Sequence, residues 1–164
     1  MYQYKKVTLD YLNSAPRKME FVVQLPVSCK EIFSIFERRD TWQWAGIEDV
    51  IWDSEPPFNA NTKRTIVQST GSRLDEQFLL WEQDRRMVFR IENGDVGLLG
   101  ALLEDYTVKP IGDDACEFTW TIAYELSGWL RFFTPLLSVL VRLLFKKMVG
   151  DFQQMVVDHQ INRV

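Results

Sequence analysis

Tyrosines, carboxylates, two cysteines and a single histidine are the residues with chemistry to offer in this chain of 164 residues. One histidine excludes a multi-His metal site or a His pair. That residue, His159, falls at the end of a predicted final helix. The helix dipole favours its charged ring there, and the chain end is a poor place for a central general base. Cys29 and Cys116 lie far apart in sequence and make no CxxC pair. They read as two buried thiols of a reducing, cytoplasmic setting, not as zinc ligands or a dithiol redox centre. No Ser–His–Asp order, carboxylate pair or Gly-rich phosphate loop stands out. Tyr106 and Tyr124 are the best polar handles, because a buried phenol needs a partner from protein, water or ligand. Glu76 and Glu82 share a strand face with Phe78 and Leu80. Unpaired buried carboxylates are costly, so strand twist is expected to expose these two.

Composition narrows the classes further. Nineteen Lys+Arg against 23 Asp+Glu give a net charge of −4 with no basic tract, which argues against a nucleic-acid binder. Hydrophobic residues make up 46% of the chain, with 6 Trp and 11 Phe, so a sizeable core is available. The N-terminal MYQYKKVTLDYLNS has no apolar stretch of the secretory kind. The most apolar run, Trp129 to Phe145, holds Arg131, Arg142 and Pro135 and is too short and too charged to span a bilayer. Its basic flank includes Lys146 and Lys147, so transient membrane contact through residues 129–145 is one use for it.

Periodicity supplies the elements. Residues 1–18 are mixed and polar, a leader or an added edge strand, and one domain is expected over 19–164. Met19, Phe21, Val23 and Leu25 alternate with Glu20, Val22 and Gln24 as a half-buried strand, which Pro26 ends. Ser28 and Glu31 have the spacing of a capping box before the stripe Ile32, Phe33, Ile35 and Phe36. A second short helix is expected over Arg39–Ala45, with Gly46 as its stop. Trp42 and Trp44 flank Gln43 there. Two residues apart on a helix, they cannot share a face, so one is expected in the core and the other at a rim.

Six strands follow, at Ile47–Asp53, Lys63–Thr70, Leu74–Gln83, Arg86–Asn93, Leu103–Pro110 and Ala115–Leu126, separated by turn residues. On the last, Cys116, Phe118, Trp120, Ile122, Tyr124 and Leu126 share a dry face, and Glu117, Thr119, Thr121, Ala123 and Glu125 a wet one. A long helix closes the chain from Pro135 to about His159, with Thr134 as its cap and Pro135 in its first position. Its apolar stripe is Leu137, Val141, Leu144, Met148, Phe152 and Met155.

This order resembles the helix-grip superfamily of START-like domains, and most nearly its polyketide cyclase/dehydrase-like (SRPBCC) branch. The stretches that carry the likeness are VSCKEIFSIFERRDTWQWAGIEDV, LDEQFLLWEQDRRMVFRIEN and EDYTVKPIGDDACEFTWTIAYEL. The resemblance covers about Met19 to His159. It implies an α+β helix-grip fold, with about seven curved antiparallel strands around a long C-terminal helix and two short helices after the first strand. It also implies an elongated apolar cavity between sheet and helix. Its mouth would lie near Trp129, Phe132 and Phe133, beside a connection over Gly97–Ala101 that glycines let move.

The first functional expectation is therefore a binder or carrier of a small hydrophobic molecule, a lipid, polyketide-like or aromatic compound. Its contacts would come from Trp42, Trp44, Phe78, Phe89, Tyr106, Trp120, Tyr124, Phe133, Leu137 and Val141, unless bulky aromatics fill the space. The alternatives are a cyclase or dehydratase with Tyr106 or Tyr124 as acid, and a protein- or membrane-interaction module. No metal or cofactor is expected, and the oligomeric state is left open.

Overall fold

The computed structural model of the chain describes residues 1–161; the side chains of residues 129, 131, 134–136 and 159–161 lie outside that description. The expected roles of Thr134, Pro135 and His159 therefore fall outside the described side chains. Antiparallel strands β1 (Tyr2–Gln3), β2 (Arg17–Leu25), β3 (Ile47–Trp52), β4 (Lys63–Gln68), β5 (Arg73–Glu82), β6 (Arg86–Gly94), β7 (Leu99–Gly112) and β8 (Ala115–Leu126) make one sheet. Its order is β2-β8-β7-β6-β5-β4-β3, and β1 joins the end of β6. Tyr2 pairs with Gly94 at a level that β7 does not reach. β7 starts before the expected Leu103 because β8 offers it a ladder up to Leu126. Gly100 and Ala101, expected in a loose connection, therefore lie in β7, next to a bulge.

Between β2 and β3 lies α2 (Cys29–Glu37). Its capping box forms as expected: the Glu31 N–H donates to Ser28 Oγ at 3.3 Å, and the Ser28 N–H donates to the Glu31 carboxylate at 3.0 Å. The expected Arg39–Ala45 helix shrinks to a 3₁₀ turn, Gln43–Ala45, which Gly46 stops in the left-handed region at φ 69°. Trp42 precedes that turn, so helical spacing does not govern the tryptophan pair. Both rings are buried, and they stack with centroids 5.6 Å apart, which corrects the expectation of one core and one rim residue.

The closing helix α3 (Thr134–Ile161) has 28 residues and is about 42 Å long at the usual rise. It packs mainly on β2 and the 3₁₀ turn. Its two halves differ. The second half is anchored by the buried Val149, Phe152 and Val156. The first half faces the sheet with Leu137, Val141 and Phe145, which are only half-buried. Leu144, expected on the inner stripe, is exposed, and Phe145, one turn on from Val141, takes that place. No described helix is long and apolar enough to cross a membrane.

The outer face of the sheet is not simply wet. Val7 and Tyr11 pack with Val88, Ala101, Leu103 and Ala123 in a second core, and short α1 (Tyr11–Ser14) belongs to this strap. Backbone bonds from Tyr4 N–H to Glu92 O (3.0 Å) and from Lys5 N–H to Gly100 O (2.9 Å) hold it down. Ala123, assigned to the wet face, is fully buried for this reason. Truncating Tyr11→Ala is expected to lower the unfolding free energy by about 3 kcal/mol in a urea titration. A loss within about 0.5 kcal/mol would mean that the strap adds no stability.

Candidate functional site

Strand register brings the interior side chains into rows. Trp52 of β3 pairs with Arg64 of β4, and Arg64 pairs with Glu76 of β5. In the next row Phe78 pairs with Phe89, and Phe89 with Glu104 of β7. A third row runs Trp81, Met87, Tyr106, Trp120 and Phe21 across β5, β6, β7, β8 and β2. Polar side chains in the first two rows thus meet an aromatic interior roofed by α2, the 3₁₀ turn and α3. Phe36 stacks on Phe152 at 5.6 Å, and Trp44 touches both Phe152 (4.7 Å) and Trp120 (5.6 Å).

Arg64 is the centre of this arrangement. Its guanidinium carbon lies 4.2 Å from the Trp42 ring centroid, 4.9 Å from Phe89, and 5.3 Å from Trp52 and from Phe78. Such a cage stabilises a cation through ring quadrupoles. Its Nε donates to Glu76 at 2.5 Å, with both side chains sealed from solvent at 1% and 4% exposure. Glu76 is therefore not the exposed strand end expected from its cost. Arg64 compensates it, whereas Glu82 is exposed as expected. Burial still holds the Glu76 carboxyl above its usual range, against the pull of Arg64.

Glu104 is a second buried carboxyl. One of its oxygens accepts from Trp120 Nε1 at 2.9 Å and from the Tyr106 hydroxyl at 3.2 Å. Burial, and then the nearby Glu76, push its pKa up to about 8. At neutral pH its carboxyl therefore favours the uncharged acid. Tyr106 is driven well above its ordinary value, first by burial and then by Glu104, so it stays a phenol that donates. Tyr124 behaves differently: its hydroxyl donates to Ser138 on α3 at 3.1 Å, pinning the loosely packed half of that helix. Of the five buried side-chain polar atoms without a hydrogen-bond partner among the described residues, three, Arg64 Nη1, Trp44 Nε1 and Trp52 Nε1, belong to this interior, and Tyr11 Oη and Arg90 Nε lie outside it.

Of the expected contact residues, Trp42, Trp44, Phe78, Phe89, Tyr106 and Trp120 gather in this interior. Tyr124, buried in the same cluster, meets the first half of α3 through Ser138, where Leu137 and Val141 pack half-buried. Phe133 is half exposed and not part of the buried core. Arg64 and Glu104 were missed, and Glu76, placed on the correct face, was expected to be exposed. Parity was the signal: Arg64 shares a face with Ile66, Glu76 with Leu74 and Phe78, and Glu104 with Leu102 and Tyr106. The thiols are no rivals for reactivity, because burial pushes Cys116 up to about 12 and raises Cys29 as well.

Two clefts open elsewhere on the surface. One, of about 940 Å³, lies between the N-terminal strap, Gly100, the end of β8 and Phe132. The other, of about 640 Å³, lies between the 3₁₀ turn and the second half of α3.

Comparisons agree with this architecture. The model of the family described as "Polyketide cyclase / dehydrase and lipid transport" matches residues 16–156. Uncharacterized proteins of Mycobacterium tuberculosis and Mycobacterium bovis are 34% identical over 148 residues, covering 87% of this chain and 88% of theirs. A START superfamily protein from Mycobacterium smegmatis superposes with a TM-score of 0.70 at 12% identity, covering 86% of this chain and 97% of that one. The di-domain ARO/CYC BexL, from the BE-7585A biosynthetic pathway, gives 0.69 at 12% identity, with 85% of this chain on 46% of that one. Norcoclaurine synthase from Thalictrum flavum, in complex with dopamine and hydroxybenzaldehyde, gives 0.60 at 13% identity over 97% of each chain.

Two expectations follow from the buried cluster. Arg64→Met strands Glu76 and should cost about 3–5 kcal/mol in chemical unfolding, whereas Arg64→Met with Glu76→Met should recover much of that loss. A double variant no better than the single one would break the pairing argument. The second concerns pH. Glu104 ionises near 4.5 when unfolded but keeps its proton to about 8 when folded, so between those values the native state binds more protons. Stability should therefore fall as pH rises through that window. Glu104→Gln keeps an acceptor for Tyr106 and Trp120 and should flatten the fall; equal slopes for both proteins would remove Glu104 as its source.

Proposed function

The chain belongs to the polyketide cyclase/dehydrase and lipid transport family, and from that premise we propose that it binds a small hydrophobic molecule carrying an acceptor oxygen. The molecule lies between the sheet and α3. The observation that carries this reading is the set of three buried donors, on Arg64, Trp44 and Trp52, inside an aromatic interior. A buried donor without an acceptor loses its hydration with no return, at about 1–3 kcal/mol per group. A carbonyl or phenolic oxygen would recover that cost, while the surrounding rings supply apolar contact for the rest of the ligand. Access runs past the first half of α3. Leu137, Val141 and Phe145 are half-buried there, and the Tyr124–Ser138 hydrogen bond is the clasp.

A second reading has one observation behind it. Glu104 is a carboxylic acid held neutral to about pH 8 beside the hydroxyl of Tyr106. A proton donor poised near neutrality suits dehydration or cyclisation of a bound polyketide-like chain. In that reading Glu104 is the acid, Tyr106 positions it, and Arg64 would hold the reacting oxygen. Tyr124, engaged with Ser138, takes no part in the chemistry.

Native mass spectrometry of the freshly purified protein, joined to tryptophan-fluorescence titrations, tests the binding reading. A retained compound, or saturable quenching by oxygen-bearing aromatic or polyketide-like compounds, is expected. The folded Arg64→Met/Glu76→Met variant should bind such compounds about tenfold or more weakly and pure hydrocarbons almost unchanged. No retained molecule and no response across the panel would sink the proposal. Turnover of a bound compound that Glu104→Gln abolishes without weakening binding would select the enzyme over the carrier.

A further inference from the structure

The first half of α3 is apolar on both of its faces. Leu137, Val141 and Phe145 look inward, while Val139, Leu140, Leu143 and Leu144 look outward with exposures of 56%, 57%, 58% and 58%. A helix that is hydrophobic all round is normally covered all round. Farther along, the same outward side turns polar, with Lys147, Gln153, Gln154 and Asp158 exposed. The bare stripe is thus confined to the first half of the helix. Phe132, 79% exposed, extends the apolar surface just before the helix begins.

Charge identifies what covers it. Residues 126–150 hold four basic residues and no acidic one, so the rest of this chain of net charge −4 carries −8. Of these cations, Arg142, Lys146 and Lys147 are exposed beside or just beyond the stripe, Arg142 with its guanidinium 5.4 Å from the Phe21 ring centroid and Lys147 paired with Asp151 one turn on. Phe132 stands on the wall of a cleft that also holds Lys5, Lys6, Arg17 and Glu125, where Lys5 pairs with Glu125 at 3.6 Å and Lys6 with Glu92 at 3.7 Å, so the cleft adds little to that positive charge. A symmetric pairing of two copies through this stripe would set Arg142, Lys146 and Lys147 against their own copies. No described helix is long and apolar enough to cross a membrane, and the cations beside α3 fit a helix lying in the plane of the headgroups.

We propose that Val139, Leu140, Leu143, Leu144 and Phe132 seat on an anionic lipid bilayer, with Arg142, Lys146 and Lys147 against its headgroups. The surface is separate from the interior site and needs no bound molecule there, so either proposal can fail while the other stands.

Flotation with phosphatidylcholine vesicles, and with vesicles of equal parts phosphatidylcholine and phosphatidylglycerol, tests it on the full chain. Binding to the anionic vesicles, weakened by salt, is expected. Leu140→Gln/Leu143→Gln should reduce it by about tenfold or more, since two large apolar groups leave the interface. Lys146→Gln/Lys147→Gln should weaken it several-fold and flatten the salt dependence. Thermal melts check that both variants fold; if the leucine variant does not, the lysine variant and the salt series decide. No binding to either vesicle, or binding that neither variant changes, overturns the proposal. So does a concentration-dependent dimer that Leu140→Gln/Leu143→Gln dissolves while vesicles bind nothing, which would make the stripe a contact between copies.

Discussion

A guanidinium buried in the interior of a small protein must be neutralised, and much of this fold can be read as the means of doing so. Arg64 lies on the sheet face that also carries Phe78, Phe89 and Trp120. It is held by Glu76 from the adjacent strand and by rings from β3, from Trp42 just before the 3₁₀ turn, and from β5 and β6. That arrangement tolerates no slip of register, because a shift of one residue would carry Arg64 or Glu76 to the outer face and leave the other charge buried alone. Burial first, and then the nearness of Glu76, favours the neutral acid form of Glu104.

This constraint links stability to function. An apolar core of the same volume would be as stable or more so, which makes a buried ion pair weak support for a purely structural role. Here the pair is accompanied by orphan indole and guanidinium donors and by a neutral carboxylic acid. Under the binding proposal, those groups would orient a ligand that the surrounding rings alone would hold without preference. Bulk restricts what can enter, since Trp42, Trp120, Phe36, Phe78, Phe89, Phe118 and Phe152 are all sealed within the core. A molecule can be admitted only by displacing the lightly held part of the roof.

The sequence announced the architecture well where one physical signal dominated. The alternation from Cys116 to Leu126 gave β8 its full span, and Ser28 with Glu31 gave the start of α2. The polar centre was hidden by a sound rule: a charge in a strand usually faces water. The rule failed at Arg64 and Glu76 because each pays the other's desolvation, a relation between two strands that no single strand displays. Trp42 and Trp44 misled for another reason. The segment is a 3₁₀ turn entered from a non-helical residue, so helical spacing did not apply. Val7 and Tyr11 lie in a stretch without periodicity, and only the folded sheet reveals the surface they cover.

The unequal anchoring of α3 means that its resistance to local opening is graded along its length. Residues about Val149, Phe152 and Val156 can be exposed only by breaking the aromatic core, so their amides will exchange with solvent at a free energy near that of global unfolding. Residues about Leu137 and Val141 are held by half-buried contacts and by one clasp between hydroxyls, and they form a separate unit of lower stability. The helix therefore acts as a lever held more firmly along its second half than along its first. Opening of the interior becomes a sub-global event that leaves the sheet, the ion pair and the far half of the helix intact.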